Sequence, residues 1–212
     1  MSTFIKRNLT CAVCGNKHDY SIIASTNSFG SSDLDLRPPE MRRSTMCWWV
    51  QRCPDCGYVS SNIEDDQGIT KDFLETEEYI TCENFNFKSN LADTFYKNYM
   101  ILNNLGKKMY AYNALLHCAW SCDDSREYEK ASLIRKKMVE LFELLPKIQK
   151  KNENIIAQYV DVLRRSGDFD SVVEKFNGFK SSNDIIEKVI AFQVKLAKEK
   201  DCKVYTVSDA LK

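Results

Sequence analysis

Glycine is scarce in this chain, with 7 among 212 residues, and histidine scarcer still, with 2. A phosphate-cradling loop needs clustered glycines where the backbone closes on the ligand, and no such cluster occurs. The two histidines, His18 and His117, stand beside no nucleophile motif, and the carboxylates have no spacing that singles out an acid–base pair. The chain therefore reads as non-catalytic. Net charge is also lacking: 30 basic side chains face 30 acidic ones, which removes any global pull towards nucleic acid or an acidic membrane. Long apolar runs are missing too. No stretch approaches the ~20 residues of a membrane span. The opening residues, Met1 to Asn8, hold no apolar run long enough for a signal peptide. A cytoplasmic setting with no membrane partner is the expectation.

What the chain does have is cysteine. Nine are present, an odd number, and four of them form two C-x-x-C pairs followed by glycine: Cys11-Ala12-Val13-Cys14-Gly15 and Cys53-Pro54-Asp55-Cys56-Gly57. That spacing folds the chain back so that both sulfurs face one ion, and the glycine takes the positive φ of the tight turn. In a reducing compartment such pairs hold metal in preference to disulfides. Cys11, Cys14, Cys53 and Cys56 thus predict one structural zinc ion in a closed, four-thiolate site. Such a site has no open position for substrate or water. The sequence Cys53-Pro54-Asp55-Cys56-Gly57-Tyr58 also resembles a rubredoxin knuckle, which leaves a one-electron iron site as an alternative. The first knuckle supplies only half of that pattern. His18 is an alternate ligand or, more simply, a neighbour of the site. Cys47, Cys82, Cys118, Cys122 and Cys202 are expected to pack as small hydrophobes, with Cys118 and Cys122 one helical turn apart.

Between the knuckles lie 38 residues, against roughly 15–20 in the common double-knuckle pattern. Asp33 to Thr45 concentrates three arginines, three carboxylates and Pro38-Pro39, next to Trp48-Trp49. Arg37, Glu40, Arg42, Arg43, Trp48 and Trp49 form a candidate binding surface, because arginines beside aromatics bind phosphate or stack on bases. The interspersed carboxylates favour the plainer alternative, a salt-bridged loop over the knuckles with the tryptophans in its core.

Tyr20–Ile23, Met46–Arg52 and Tyr58-Val59 read as strands flanking the knuckles. Residues 61–105 turn acidic, with nine acidic side chains against three basic. Thr70 caps a predicted helix running to Tyr79. From Leu91 onward apolar residues recur at three and four, predicting helices over Leu91–Leu105, Tyr110–Cys122, Tyr128–Leu145, Ile155–Leu163, Val172–Phe179 and Ile185–Leu196. Breaks at Ser125–Tyr128 and Gly167–Asp170 suggest two helical hairpins of tetratricopeptide type, offset by 41 residues. The fold class is α+β: a β-rich zinc ribbon over 1–62, an acidic linker with a short helix over 63–90, and a helical, tetratricopeptide-like bundle over 91–212.

The run from Asp33 to Met46, followed by Trp49 to Tyr58, resembles uncharacterised bacterial proteins grouped around domain of unknown function 2225. That resemblance implies the same four cysteine ligands, helical hairpins and a bacterial cytoplasmic setting. It brings no activity. A non-catalytic interaction protein with a protein or peptide partner is the leading expectation, and a nucleic-acid-binding ribbon the alternative.

Overall fold

Residues Thr3–Thr10 (β1) and Lys17–Ser25 (β2) form an antiparallel hairpin whose register runs from Thr3 opposite Ser25 to Thr10 opposite Lys17. The first knuckle is its tip. The computed structural model describes all residues from 1 to 212. A second, minimal hairpin pairs Gln51–Arg52 (β3) with Val59–Ser60 (β4), and the second knuckle is its tip. The segment after β4 crosses back between the two hairpins. There Ala12 donates its backbone N–H to the Ile63 carbonyl at 3.0 Å, and Ile63 N–H reaches the Gln51 side-chain oxygen at 2.7 Å.

Of the strand expected over Met46–Arg52 only Gln51-Arg52 is extended; Met46–Trp48 is the end of a 3-10 helix, Arg43–Trp48. Its cause is local. The Thr45 hydroxyl donates to the Arg42 carbonyl at 2.7 Å and accepts from the Trp49 indole N–H at 2.9 Å, which curls the backbone before β3 begins.

The acidic stretch holds two short helices where one was expected, Lys71–Leu74 (α1) and Glu77–Thr81 (α2). Thr70 caps the first, and Thr76 starts the second with its own cap on Tyr79 N–H. After α2 the chain turns through Cys82, Glu83 and Asn84, all at positive φ.

Beyond this point the protein is helical: Asn90–Asn104 (α3), Lys108–Asp124 (α4), Tyr128–Glu143 (α5), Lys147–Lys150 (α6), Glu153–Ser166 (α7), Phe169–Phe176 (α8), Asp184–Lys198 (α9) and Val207–Ala210 (α10). The apolar spacing located six of these to within a few residues. Three helix pairs, α3–α4, α4–α5 and α7–α8, turn in the same way. Gly106, Arg126 and Gly167 each adopt positive φ, and the following N–H closes on a carbonyl five residues back. This is the Schellman cap, which satisfies carbonyls left over at a helix end. Arg126 takes a conformation that suits glycine and costs an L-residue about 1–2 kcal/mol. The three turns are unequally spaced along the chain.

One cluster of buried apolar side chains runs from Leu9 and Cys11 through Leu34 and Tyr79 to Ala197, so knuckles, acidic stretch and helices share a core. No helix is long and apolar enough to cross a membrane.

Candidate metal centre

Each knuckle is built by the same two hydrogen bonds. In the first, Cys11 N–H donates to the Asn16 carbonyl at 2.8 Å, and Gly15 N–H donates to the Cys11 carbonyl at 2.9 Å. In the second, Cys53 N–H donates to the Tyr58 carbonyl at 2.8 Å, and Gly57 N–H donates to that of Cys53 at 3.1 Å. Gly15 and Gly57 sit at φ +77 and +73, the left-handed region that a Cβ disfavours. Tyr79 of α2 braces the second turn by donating its hydroxyl to the Gly57 carbonyl at 2.6 Å.

These two turns bring Cys11, Cys14, Cys53 and Cys56 together, with all four Sγ atoms within 4.8 Å of one another. The Cys11–Cys56 and Cys14–Cys53 sulfurs are 3.6 Å apart. Sulfurs bonded at ~2.3 Å to a central tetrahedral ion stand about 3.8 Å apart, so the cluster fits one ion and no disulfide. Cys11 and Cys53 are buried, while Cys14 and Cys56 are half-buried beside Lys71 and Leu74 of α1. Burial pushes the Cys53 and Cys56 thiols up, and the crowding of sulfurs adds to it at Cys56. Binding an ion there therefore displaces protons.

His18 is beside the cluster without a sulfur-like role. Its Nε2 meets the Asp55 carboxylate at 2.7 Å, and the Asn16 amide donates to the same oxygen at 2.7 Å. Asp55 thus ties the second knuckle to the strand leaving the first. The hydrogen bonds from His18 and Asn16 hold its carboxyl below the usual range.

The long inter-knuckle segment is fastened to the helical half. Asp35 is 1% exposed and accepts the Trp120 indole N–H at 2.6 Å, with Arg165 at 3.4 Å. Arg37 pairs with Asp124 at the end of α4 and lies 5.7 Å over the Trp120 ring. Arg43 pairs with Asp33 at 2.7 Å and donates to the Pro38 carbonyl at 2.9 Å. Beneath them Asp123 holds Arg135 at 2.6 Å and Arg165 at 2.8 Å, and Asp161 holds Arg164 at 2.6 Å. The C-terminal tail closes the arrangement from outside, with Leu34 N–H on the Tyr205 carbonyl at 2.9 Å and Val207 N–H on that of Ser32 at 2.8 Å.

Six residues were expected to form a binding surface, and they divide. Arg37 is buried, and Arg43 is committed to Asp33. Glu40 accepts from the neighbouring Ser44 hydroxyl at 2.7 Å. Trp48 stacks on Phe4 with ring centroids 4.3 Å apart. Trp49 meets His117 edge-on at 5.1 Å. Arg42 is exposed and forms no ion pair. The intermixed carboxylates foreshadowed this salt-bridged loop; its partners on α4 and α7 had no sequence signal. Of the remaining cysteines, Cys118 and Cys122 are fully buried, as packing predicts, and Cys82 is buried with its thiol 3.0 Å from Asp93. Cys47 and Cys202 are exposed.

Comparison with protein-family models, with curated proteins and with solved structures found no match for this chain.

Proposed function

We propose that the chain is a non-catalytic, zinc-binding interaction protein, with a four-cysteine zinc ribbon as structural module and helical hairpins of tetratricopeptide type as the body that meets a protein or peptide partner. The observation that carries this reading is the closed set of four cysteine sulfurs within 4.8 Å of one another. Four thiolates fill a tetrahedron and leave no position for substrate. Thiolate ligands on Cys-x-x-Cys turns suit zinc, which has no redox chemistry of its own. Three hairpins with one turn geometry support the helical half of the reading. The likeness of residues 33–58 to bacterial proteins of domain of unknown function 2225 fits a cytoplasmic setting and brings no activity.

Affinity capture with the zinc-loaded full chain is the test. A specific protein partner, lost when the ribbon is unfolded by chelation, is the expected result. Turnover in a substrate screen with no specific partner contradicts it. The nucleic-acid alternative predicts a mobility shift that weakens steeply with salt. The pairing of Arg37 with Asp124 and of Arg43 with Asp33 leaves few cations for it. An iron-loaded, coloured protein is the outcome that favours the rubredoxin-like alternative.

A further inference from the structure

A groove runs along the seam between the knuckle half and the α3–α4 hairpin. Two cavities compose it, of about 570 and about 480 Å³, and both are bordered by Trp49 and His117. Each is in the size range of sites that take organic ligands. The floor of the larger is built from one stripe of each helix: Phe95, Asn98 and Leu102 of α3, and Tyr110, Asn113 and His117 of α4. Those positions fall at three- and four-residue spacings, so they share a face.

The polar groups on this floor have no work inside the chain. The side-chain amides of Asn98 and Asn113 and the imidazole of His117 form no hydrogen bond with other residues, although all three are half-buried. His117 is instead ringed by Trp49, Phe95 and Trp120, each with its centroid 5.1 Å away. Their polar atoms are open to the groove and to water, and so are free to bond a ligand there. An amide side chain both donates and accepts, as does a neutral imidazole. That is the complement of a peptide group, which presents one N–H and one C=O at each step.

The groove also has a polarity. Asp65 and Asp66 are exposed at one end, and neither is ion-paired. Lys107 lies at the same end but is held on the Gln67 side chain at 3.1 Å. At the other end stands Arg42, exposed and free of any ion pair. Between them lie Trp49 and His117, with Asn98, Asn113 and Tyr110 on the aspartate side and Thr26, Ser28 and Thr45 on the arginine side. Carboxylates at one end would repel a phosphate backbone, while the amides and the opposite charges suit a peptide.

We propose that this groove binds an extended peptide segment, with a basic side chain at Asp65 and Asp66, apolar residues over Trp49 and Tyr110, and a carboxylate at Arg42. The proposal rests on the interaction-protein reading and names its partner and its site.

The test is a random heptapeptide display library selected on the zinc-loaded full chain, followed by fluorescence anisotropy with the enriched peptides. Enriched sequences should pair a basic with an acidic residue across an apolar centre. Asn113→Ala, and Asp65→Asn with Asp66→Asn, should each weaken binding by about tenfold or more. The aspartate changes are at exposed positions and keep an acceptor oxygen at each, and unchanged zinc content and melting temperature will show that each variant is folded. Arg42→Glu should abolish binding of the selected peptide and restore it when the peptide's acidic residue is replaced by lysine. Peptides that bind all these variants as well as the parent overturn the groove while leaving the interaction reading intact. No enrichment at all contradicts both. A single-stranded oligonucleotide that occupies the groove, losing affinity steeply with salt, overturns the peptide in favour of nucleic acid.

Discussion

The indole N–H of Trp120 donates to the carboxylate of Asp35 at 2.6 Å, across 85 residues of chain. One partner belongs to the segment between the knuckles and the other to the C-terminal part of α4. Both are buried, at 3% and 1% exposure, so the bond is made in the core and not at the rim. Arg165 of α7 adds its charge from 3.4 Å, and Arg37 N–H caps the second Asp35 oxygen at 3.2 Å. The knuckles fix the two ends of the segment, and Asp35 fixes its middle.

Asp35→Ala should therefore destabilise the protein by about 1–3 kcal/mol, because it leaves the Trp120 indole N–H without an acceptor in the core, while Arg165 keeps Asp123 at 2.8 Å. Asp35→Asn should cost less. It keeps an acceptor for the indole, and burial with the neighbouring Asp161 charge already pushes the Asp35 carboxyl up. Urea denaturation of the two variants checks the order.

Glu127 is a second tie. Its carboxylate accepts from Lys88 and Ser89 N–H at 3.0 and 3.2 Å, from the Ser125 hydroxyl at 3.0 Å and from Lys130 at 2.6 Å. It joins the start of α5 to the residues leading into α3. Burial opposes its ionisation, but these donors outweigh it and hold the carboxyl at about 2, below the ordinary 4.5. A depressed carboxyl contributes stability above the unfolded value and loses it as pH falls. Glu127→Gln should cost about 1–3 kcal/mol at neutral pH. It should also flatten the loss of stability between pH 4.5 and about 2, read by melting temperature against pH.

His117 titrates in a different window. Burial among rings, with a smaller push from Arg37, lowers it to about 4 from 6.5. Folding therefore favours the neutral ring, so stability is full above 6.5 and falls as pH drops towards about 4. A His117→Gln variant should lose less melting temperature than the parent between roughly pH 7 and pH 5. A parallel decline in both chains contradicts this.

Gly15→Ala and Gly57→Ala should each cost about 1–2 kcal/mol, since alanine at φ +77 or +73 is strained. Both should release the metal at lower chelator concentration than the parent. A competition titration with a chromophoric chelator measures it.

Sequence legibility followed the range of the physics. The cysteine turns are local: spacing and one glycine specify each, and the four sulfurs meet as the spacing requires. The helices were legible because a buried face at three and four repeats over many residues. Strand β1 was not, since Thr3 to Asn8 are exposed on both faces and show no alternation. Residues Met46–Trp48 misled for the opposite reason: an apolar run suits strand and helix alike, and the Thr45 hydroxyl decided it. The anchors of the long segment were invisible, because Asp35 with Trp120 and Arg37 with Asp124 are pairings across 85 and 87 residues. The groove amides, Asn98 and Asn113, stand out only once α3 and α4 are side by side.

The most direct test of the four-cysteine site is the mass of the purified full chain under native and denaturing conditions, with elemental analysis of the same sample. One zinc per colourless chain is the predicted result, retained in the native spectrum and lost on denaturation or when Cys11, Cys14, Cys53 or Cys56 is replaced by serine. A metal-free native chain, or one carrying iron, contradicts it.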